Sequence, residues 1–368
     1  MPTLDTLSIQ HFRNLTAVNL VLSPRFNIFY GNNASGKTSL LEAIYYLGMG
    51  KSFRTAYPAS IIQHQTDQFL MFAKIQNATQ QHVLGIERTR EGERQIKLDG
   101  ENQIGIAPVT KLLPIQFMSP TSYRFFHDGP KIRRQYLDWA LFHVEHDFLF
   151  TWQRWQRVLK QRNSALKSRQ NVEVWNYDFI TLGESIDQMR RQMFLHLLPI
   201  CLQQLQLLLP DIEFSVRYSR GWDNGTDLRE LLYKYAQRDR QLGYTYYGPQ
   251  RADLQLWVGS DPVQNVLSQG QQKLAAYALH LALGTVLHQY ASSNPIYLVD
   301  DLPSELDSKN RVKILSALAS LQAQVFITSI SAQDLGHLTT DKPIRMFHVE
   351  HGKIEVLEST LSVLESTS

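Results

Sequence analysis

The strongest constraint on this chain is an eight-residue loop, Gly31-Asn32-Asn33-Ala34-Ser35-Gly36-Lys37-Thr38, set between two segments of different periodicity. Before it, Phe26-Asn27-Ile28-Phe29-Tyr30 is an apolar, aromatic run suited to a buried strand. After it, Ser39-Leu40-Leu41-Glu42-Ala43-Ile44-Tyr45-Tyr46-Leu47 carries apolar residues at helical spacing. A strand that ends in a glycine-rich turn and opens a helix surrounds an anion with backbone N–H groups and a helix N-terminus. The spacing G-x-x-x-x-G-K-T adds a lysine for β- and γ-phosphates and a hydroxyl for Mg²⁺. Gly31, Asn32, Asn33, Ala34, Ser35, Gly36, Lys37, Thr38 and Ser39 are therefore the expected contacts to a nucleoside triphosphate, inside an α/β core.

The bulk numbers narrow the class without choosing the chemistry. A chain of 368 residues suggests one large domain with an insertion, or two. The net charge of +3 does not by itself predict a nucleic-acid partner, so any basic surface must be local. The single cysteine, Cys201, excludes a disulfide framework and points to a reducing cytoplasm. The N-terminus lacks the pattern of a secretory signal. The apolar stretch Leu195–Leu209 is interrupted by Pro199 and three glutamines, so no membrane span is expected.

Three segments are expected. Residues 1–120 hold the phosphate loop and strand-like runs at Phe69–Ile75, His82–Arg88 and Arg94–Leu98, with a turn at Asp99-Gly100. Residues 121–240 read as a mostly helical insertion, in which Ile186, Met189, Met193, Leu197 and Ile200 form one apolar stripe. Residues 241–368 return to strand–helix alternation and close in a hairpin, Arg345–Val356.

The third segment chooses among phosphate-loop proteins. Ile296-Tyr297-Leu298-Val299-Asp300-Asp301 is a buried strand ending in two carboxylates. Asp300 is expected to hold Mg²⁺ together with Thr38, and Asp301 to orient the attacking water, so Asp301, Asp300 and Lys37 form the catalytic set. Upstream, Leu267-Ser268-Gln269-Gly270-Gln271-Gln272-Lys273 closely matches the L-S-G-G-Q signature of ABC-type ATPases, with Gln269 in place of the first glycine. Ser268, Gly270 and Gln271 are nucleotide-contact candidates at a helix N-terminus. In that family they face a triphosphate held by a second copy. Ser304-Glu305-Leu306-Asp307 resembles the D-loop of the same interface.

Further blocks make the resemblance specific. Phe12-Arg13-Asn14, Leu41-Glu42-Ala43-Ile44, Gly50-Lys51-Ser52-Phe53-Arg54 and Arg133-Arg134-Gln135-Tyr136-Leu137-Asp138 resemble the RecF family. So do Lys160-Gln161-Arg162-Asn163 and Gly248-Pro249-Gln250-Arg251-Ala252-Asp253-Leu254. The resemblance implies an SMC-like ABC ATPase head with a helical arm, with Arg13 as a further nucleotide contact. It also implies ATP-driven homodimerisation on duplex or gapped DNA, slow hydrolysis, and work with RecO and RecR to load RecA at single-stranded gaps. Two departures bear on turnover: Asp301 stands where ABC transporters carry glutamate, and Ser329 where many ABC ATPases carry a phosphate-sensing histidine. Gln116 is a weak candidate for the glutamine that such ATPases place near the metal.

Within residues 151–170 there are six basic residues and no acidic one. Arg154, Arg157, Lys160, Arg162 and Lys167 are the DNA-contact candidates, the first three sharing one helix face. A solvated helix face is the competing reading. Lys51 and Arg54 are candidates for DNA or nucleotide, or for a solvated loop. Phe-His-Val-Glu-His occurs at Phe142–His146 and Phe347–His351, but no completing ligand spacing makes either a metal site. The alternative function is an ATP-gated interaction scaffold, or another ABC ATPase subunit, for which DNA contact is incidental.

Overall fold

The computed structural model describes residues 2–77, 79–302, 306–333 and 342–357. The chain forms two compact units, one from Met1–Ser122 with Leu287–Ser368, the other from Tyr123–Val286. In chain order, the first unit contributes β1 (Thr3–Phe12), β2 (Leu15–Val21), β3 (Phe26–Tyr30), α1 (Lys37–Met49), β4 (Gln68–Gln76), β5 (Gln81–Thr89), β6 (Arg94–Leu98), β7 (Glu101–Asn102), α2 (Ala107–Leu112) and β8 (Ile115–Met118). The second contributes α3 (Pro130–Val144), α4 (Phe148–Lys167), α5 (Asn176–Leu208), β9 (Phe214–Ser219), α6 (Leu228–Lys234), α7 (Ala236–Leu242), β10 (Asp253–Val258), β11 (Asp261–Pro262) and α8 (Val263–Val266). Helix α9 (Gln269–Ala291) carries the chain back to β12 (Ile296–Val299), α10 (Ser308–Ser320), β13 (Val325–Ser329), β14 (Ile344–Glu350) and β15 (Lys353–Val356).

Two six-stranded sheets build the first unit. One is an antiparallel meander in the order β2-β1-β4-β5-β6-β7. The other runs β15-β14-β3-β13-β12-β8, with all pairs parallel except the β14–β15 hairpin. Strands β3, β12 and β13 are apolar along nearly their whole length because they are covered on both faces. Phe29 on β3 stacks on Phe347 at 4.6 Å and Phe326 at 6.3 Å, locking three parallel strands side by side. Helix α1 buries Leu40, Leu41, Ala43, Ile44 and Leu47 in the same core as Leu4, Leu7 and Ile9 of β1.

The second unit is helical with a small sheet, β11-β10-β9. Residues 241–286 belong to it, a correction to the expectation that the insertion ends near 240. The reason is strand pairing: Asp253–Val258 aligns antiparallel with Phe214–Ser219, so β10 completes a sheet begun inside the insertion. On α5, Ile186, Met193, Leu197 and Ile200 are buried and Met189 partly so. Pro199 is accommodated within this 33-residue helix, which ends just before Pro210. Among the described residues no helix is long and apolar enough to cross a membrane.

Candidate functional site

The phosphate loop joins β3 to α1 at the edge of a cavity of about 680 Å³. Gly31 and Gly36 both have left-handed φ, 150° and 122°. A Cβ on Gly31 would lie 2.2 Å from the Val349 carbonyl oxygen, so only glycine lets the loop pass β14 this closely. The Gly352 N–H donates to the Ser35 carbonyl at 2.7 Å, and Asn14 Nδ2 approaches the same oxygen at 3.4 Å. Helix α1 begins at Lys37 with no side-chain cap and no acidic residue in its first turn. Its first N–H groups remain available to an anion.

Three chain segments meet below the loop. Thr38 Oγ1 donates to Asp300 Oδ1 at 3.1 Å and lies 3.3 Å from Oδ2. Thr328 Oγ1 donates to Asp300 Oδ1 at 2.8 Å and accepts the Asp301 N–H at 2.7 Å. Parallel pairing of β12 with β13 produces this meeting, because both strands end at the same level. Asp301 leaves β12 through a left-handed φ of 51°. Lys37 Nζ donates to the loop carbonyls of Gly31 and Asn32 at 2.6 and 2.8 Å.

Electrostatics follow from burial. Loss of solvent, reinforced by the neighbouring Asp301 charge, raises the Asp300 carboxyl above the usual carboxylate range. The Thr328 and Thr38 hydroxyls and Arg54 pull it back down. Burial lowers Lys37, while Asp301 and Asp300 oppose the shift.

The residues fit a triphosphate with a divalent cation. Ser35 Oγ is buried without a hydrogen-bond partner at the mouth of the helix, a donor suited to a phosphate oxygen. Thr38 and Asp300, in contact with each other, would offer hard oxygens to Mg²⁺.

The structure brings Asn33, Ala34, Ser35, Gly36, Lys37, Thr38, Ser39, Asp300 and Asp301 to one cavity. Gly31 and Asn32 hold the lysine through their carbonyls. Arg13 is not among the residues lining the cavity: its guanidinium forms a bidentate pair with Glu42 at 2.7 and 3.0 Å and donates to the Ser60 carbonyl. Glu42 is fully buried and requires a cation, and Arg13 supplies it. Arg54, 3.6 Å from the same carboxylate, lines the cavity instead. Gln116 is buried on β8, whereas Ser119, Pro120 and Thr121 just beyond that strand reach the cavity. Ser329 is buried and donates to the Ser331 carbonyl.

Sequence reasoning missed Asn14, Thr328 and the aromatic wall of the cavity. Phe53 and Phe117 stack at 4.0 Å there. Thr328 was recoverable in principle, as the polar residue ending the strand parallel to the carboxylate strand.

In the second unit Ser268, Gly270 and Gln271 open α9. The Ser268 N–H donates to Gln271 Oε1 at 2.9 Å, and the Gln271 N–H approaches Ser268 Oγ at 3.3 Å, a reciprocal capping box. Ser268 and Gly270 are exposed, with no atom within 4 Å of a Cβ on Gly270. Of the expected D-loop, Ser304 and Glu305 lie outside the described residues; Asp307 caps α10 by accepting from the Asn310 N–H.

Arg154, Arg157, Lys160 and Lys167 on α4 are exposed. Arg162 is a correction: it is 1% exposed and donates to Asn176, Asp239 and Thr245 at 3.1, 2.9 and 2.6 Å. It falls on the same helix face as the buried Val158 and Trp155, four and seven residues before it, and serves the interior. The paired arginines Arg133 and Arg190 are likewise bidentate to Asp253 and Asp138.

Residues 3–355 match the family described as RecF/RecN/SMC N terminal domain. A Coxiella burnetii (strain RSA 493 / Nine Mile phase I) protein named DNA replication and repair protein RecF is 43% identical over 97% of this chain and all of its own length. The protein of the same name from Shewanella denitrificans is 40% identical over equal shares. A solved structure of the recombination mediator protein RecF-ATP in the RecFOR pathway superposes with a TM-score of 0.86 at 25% identity, covering 97% of this chain and 98% of that one. The Smc head domain of Pyrococcus furiosus shares the fold, with a TM-score of 0.61 at 15% identity over 97% and 96% of the two chains.

Proposed function

Because this chain belongs to the RecF family, within the wider RecF, RecN and SMC group, we propose that it is an ATP-dependent DNA-binding protein of replication-linked and recombinational repair. The observation that carries the reading is the convergence of Thr38, Asp300 and Thr328 beneath a glycine loop whose helix end has no cap. A lysine, an unpartnered serine and a raised carboxylate in one cavity suit a polyphosphate with its divalent cation. The names of the relatives support the repair role, and the ATP-bound relative supports the choice of triphosphate.

In this reading Lys37 exchanges the Gly31 and Asn32 carbonyls for phosphate oxygens. Ser35 and the first N–H groups of α1 hold the same phosphates, and the wall formed by Phe53 and Phe117 faces the remainder of the ligand. Thr38 and Asp300 hold Mg²⁺, which neutralises phosphate charge. Asp301 orients water, and its short side chain fits slow turnover. Ser268, Gly270 and Gln271 face the triphosphate of a second copy, so ATP drives dimerisation. Arg154, Arg157, Lys160 and Lys167 neutralise DNA phosphates without reading bases. The RecFOR pathway named for the ATP-bound relative supports partnership with RecR and RecO, and this reading adds the loading of RecA at gaps.

The test is fluorescence anisotropy with labelled duplex and gapped DNA, in ATP, in ADP and without nucleotide, across a salt titration. Tighter, salt-sensitive binding with ATP is expected. Equal and weak binding in all three states would remove the DNA role and leave an ATP-gated protein scaffold.

A further inference from the structure

We propose a second DNA contact, for single-stranded DNA, at a cluster of cations and tyrosines around Tyr246 in the second unit. Two arginine guanidiniums flank one phenol ring: Arg238 lies 3.8 Å and Arg251 3.9 Å from the Tyr246 ring centroid. Two guanidiniums this close to one centroid cannot fit side by side over a single face, so the ring stands between them. The cluster continues through Tyr247, 4.9 Å from Tyr246, to Tyr235, 5.1 Å further, with Lys234 over the Tyr235 ring at 5.6 Å.

The cations are free to take a ligand. Lys234, Arg238 and Arg251 are exposed, and none belongs to an ion pair among the described residues. Of the acidic groups, Asp223 bears on Tyr247. The carboxylate of Asp239 is consumed inside the fold: one oxygen takes Arg162 and the other takes the Tyr246 N–H at 3.0 Å. Gln250 Nε2 donates to the Thr245 and Tyr247 carbonyls and fixes the same loop. The patch thus sets exposed guanidinium donors on a hydrogen-bonded loop anchored by the buried Asp239.

Its chemistry selects the ligand. Guanidiniums held apart by a ring match successive phosphates of one strand. Tyr247 and Tyr235, half-buried beside them, offer aromatic surface for unpaired bases, which a duplex keeps inside its stack. The exposed cations of α4 lack this interleaving with neighbouring tyrosines. The inference rests on the proposed reading of the chain as a DNA-binding protein.

The experiment compares the full chain with an Arg238→Gln/Arg251→Gln variant by anisotropy, on labelled single-stranded and duplex DNA across a salt titration. Binding to single strands is expected to weaken about tenfold, with a salt slope smaller by about 1.4, as for two phosphates at about 0.7 each. Duplex binding should stay unchanged. An Arg238→Lys/Arg251→Lys variant, which keeps both charges, should recover much of the affinity and guards against misfolding. Unchanged single-strand binding by the glutamine variant, while the wild type binds both DNAs, overturns the patch alone. An equal loss on duplex overturns its assignment to single strands. Failure of the wild type to bind any DNA overturns the DNA-binding reading itself, and this inference with it.

Discussion

Asp300 shows how one residue divides its loyalty between stability and ligand. Its carboxyl is raised mainly by desolvation, so the charged form burdens the protein without ligand and becomes useful only beside a cation. For a carboxylate whose folded pKa lies above its unfolded value, stability increases as pH falls through the folded pKa, opposite to a salt-bridged aspartate. Asp300→Asn is therefore expected to raise the ligand-free melting temperature by a few degrees. It should also abolish the thermal shift given by Mg²⁺ and a triphosphate. In the wild type that shift should fade as pH drops through the raised Asp300 pKa, because protonation removes the metal-binding charge. Differential scanning fluorimetry from neutral to mildly acid pH measures both. A destabilised Asp300→Asn protein that still responds to Mg²⁺ and triphosphate would show that Asp300 is structural.

At the scale of the element, α4 presents two kinds of arginine that look alike in sequence. Arg157 is exposed, whereas Arg162 is sealed between Asn176, Asp239 and Thr245 and also lies 5.6 Å from the Phe179 ring centroid. Removing one partner of a buried pair leaves an uncompensated charge, a loss of about 3–5 kcal/mol. Arg162→Ala should thus lower stability by roughly that amount. Arg157→Gln should leave it within about 0.5 kcal/mol and weaken DNA binding instead. Urea titration with anisotropy on the same samples separates the two; a folded, stable Arg162→Ala protein would return that residue to the surface. This pair also marks what sequence can and cannot reveal. The glycine loop and the strand ending in Asp300 were readable because their chemistry is local: a fixed spacing, then a run of apolar residues. The placement of Arg162 depends on Asp239 and Thr245, more than seventy residues away, and helical spacing does not encode it. Thr328 and the place of Asp253–Val258 in the second unit were hidden likewise, since each depends on which strands pair.

At the scale of the molecule, the expected nucleotide contacts are divided between the two compact units. Lys37, Thr38 and Asp300 belong to one, and Ser268, Gly270 and Gln271 to the other. In the proposed dimer, a second copy would bring its Ser268 segment to the triphosphate held at Lys37 and receive the same in return. The helix end at Ser268 is suited to that task, since its serine is exposed and the glycine beside it leaves open space for a phosphate. Ser268→Arg should prevent dimerisation by ATP through bulk. Ser268→Asp keeps a good helix cap but sets a negative charge against the triphosphate, so it should block dimerisation with little loss of stability. Both variants should still bind ATP as monomers, because Lys37 and Asp300 are untouched. Sedimentation velocity with a slowly hydrolysed ATP analogue, paired with calorimetric titration of the monomer, distinguishes the cases. Dimers that persist in both variants would dissolve the composite site. Loss of ATP binding by the monomer would instead place Ser268 against the nucleotide of its own chain.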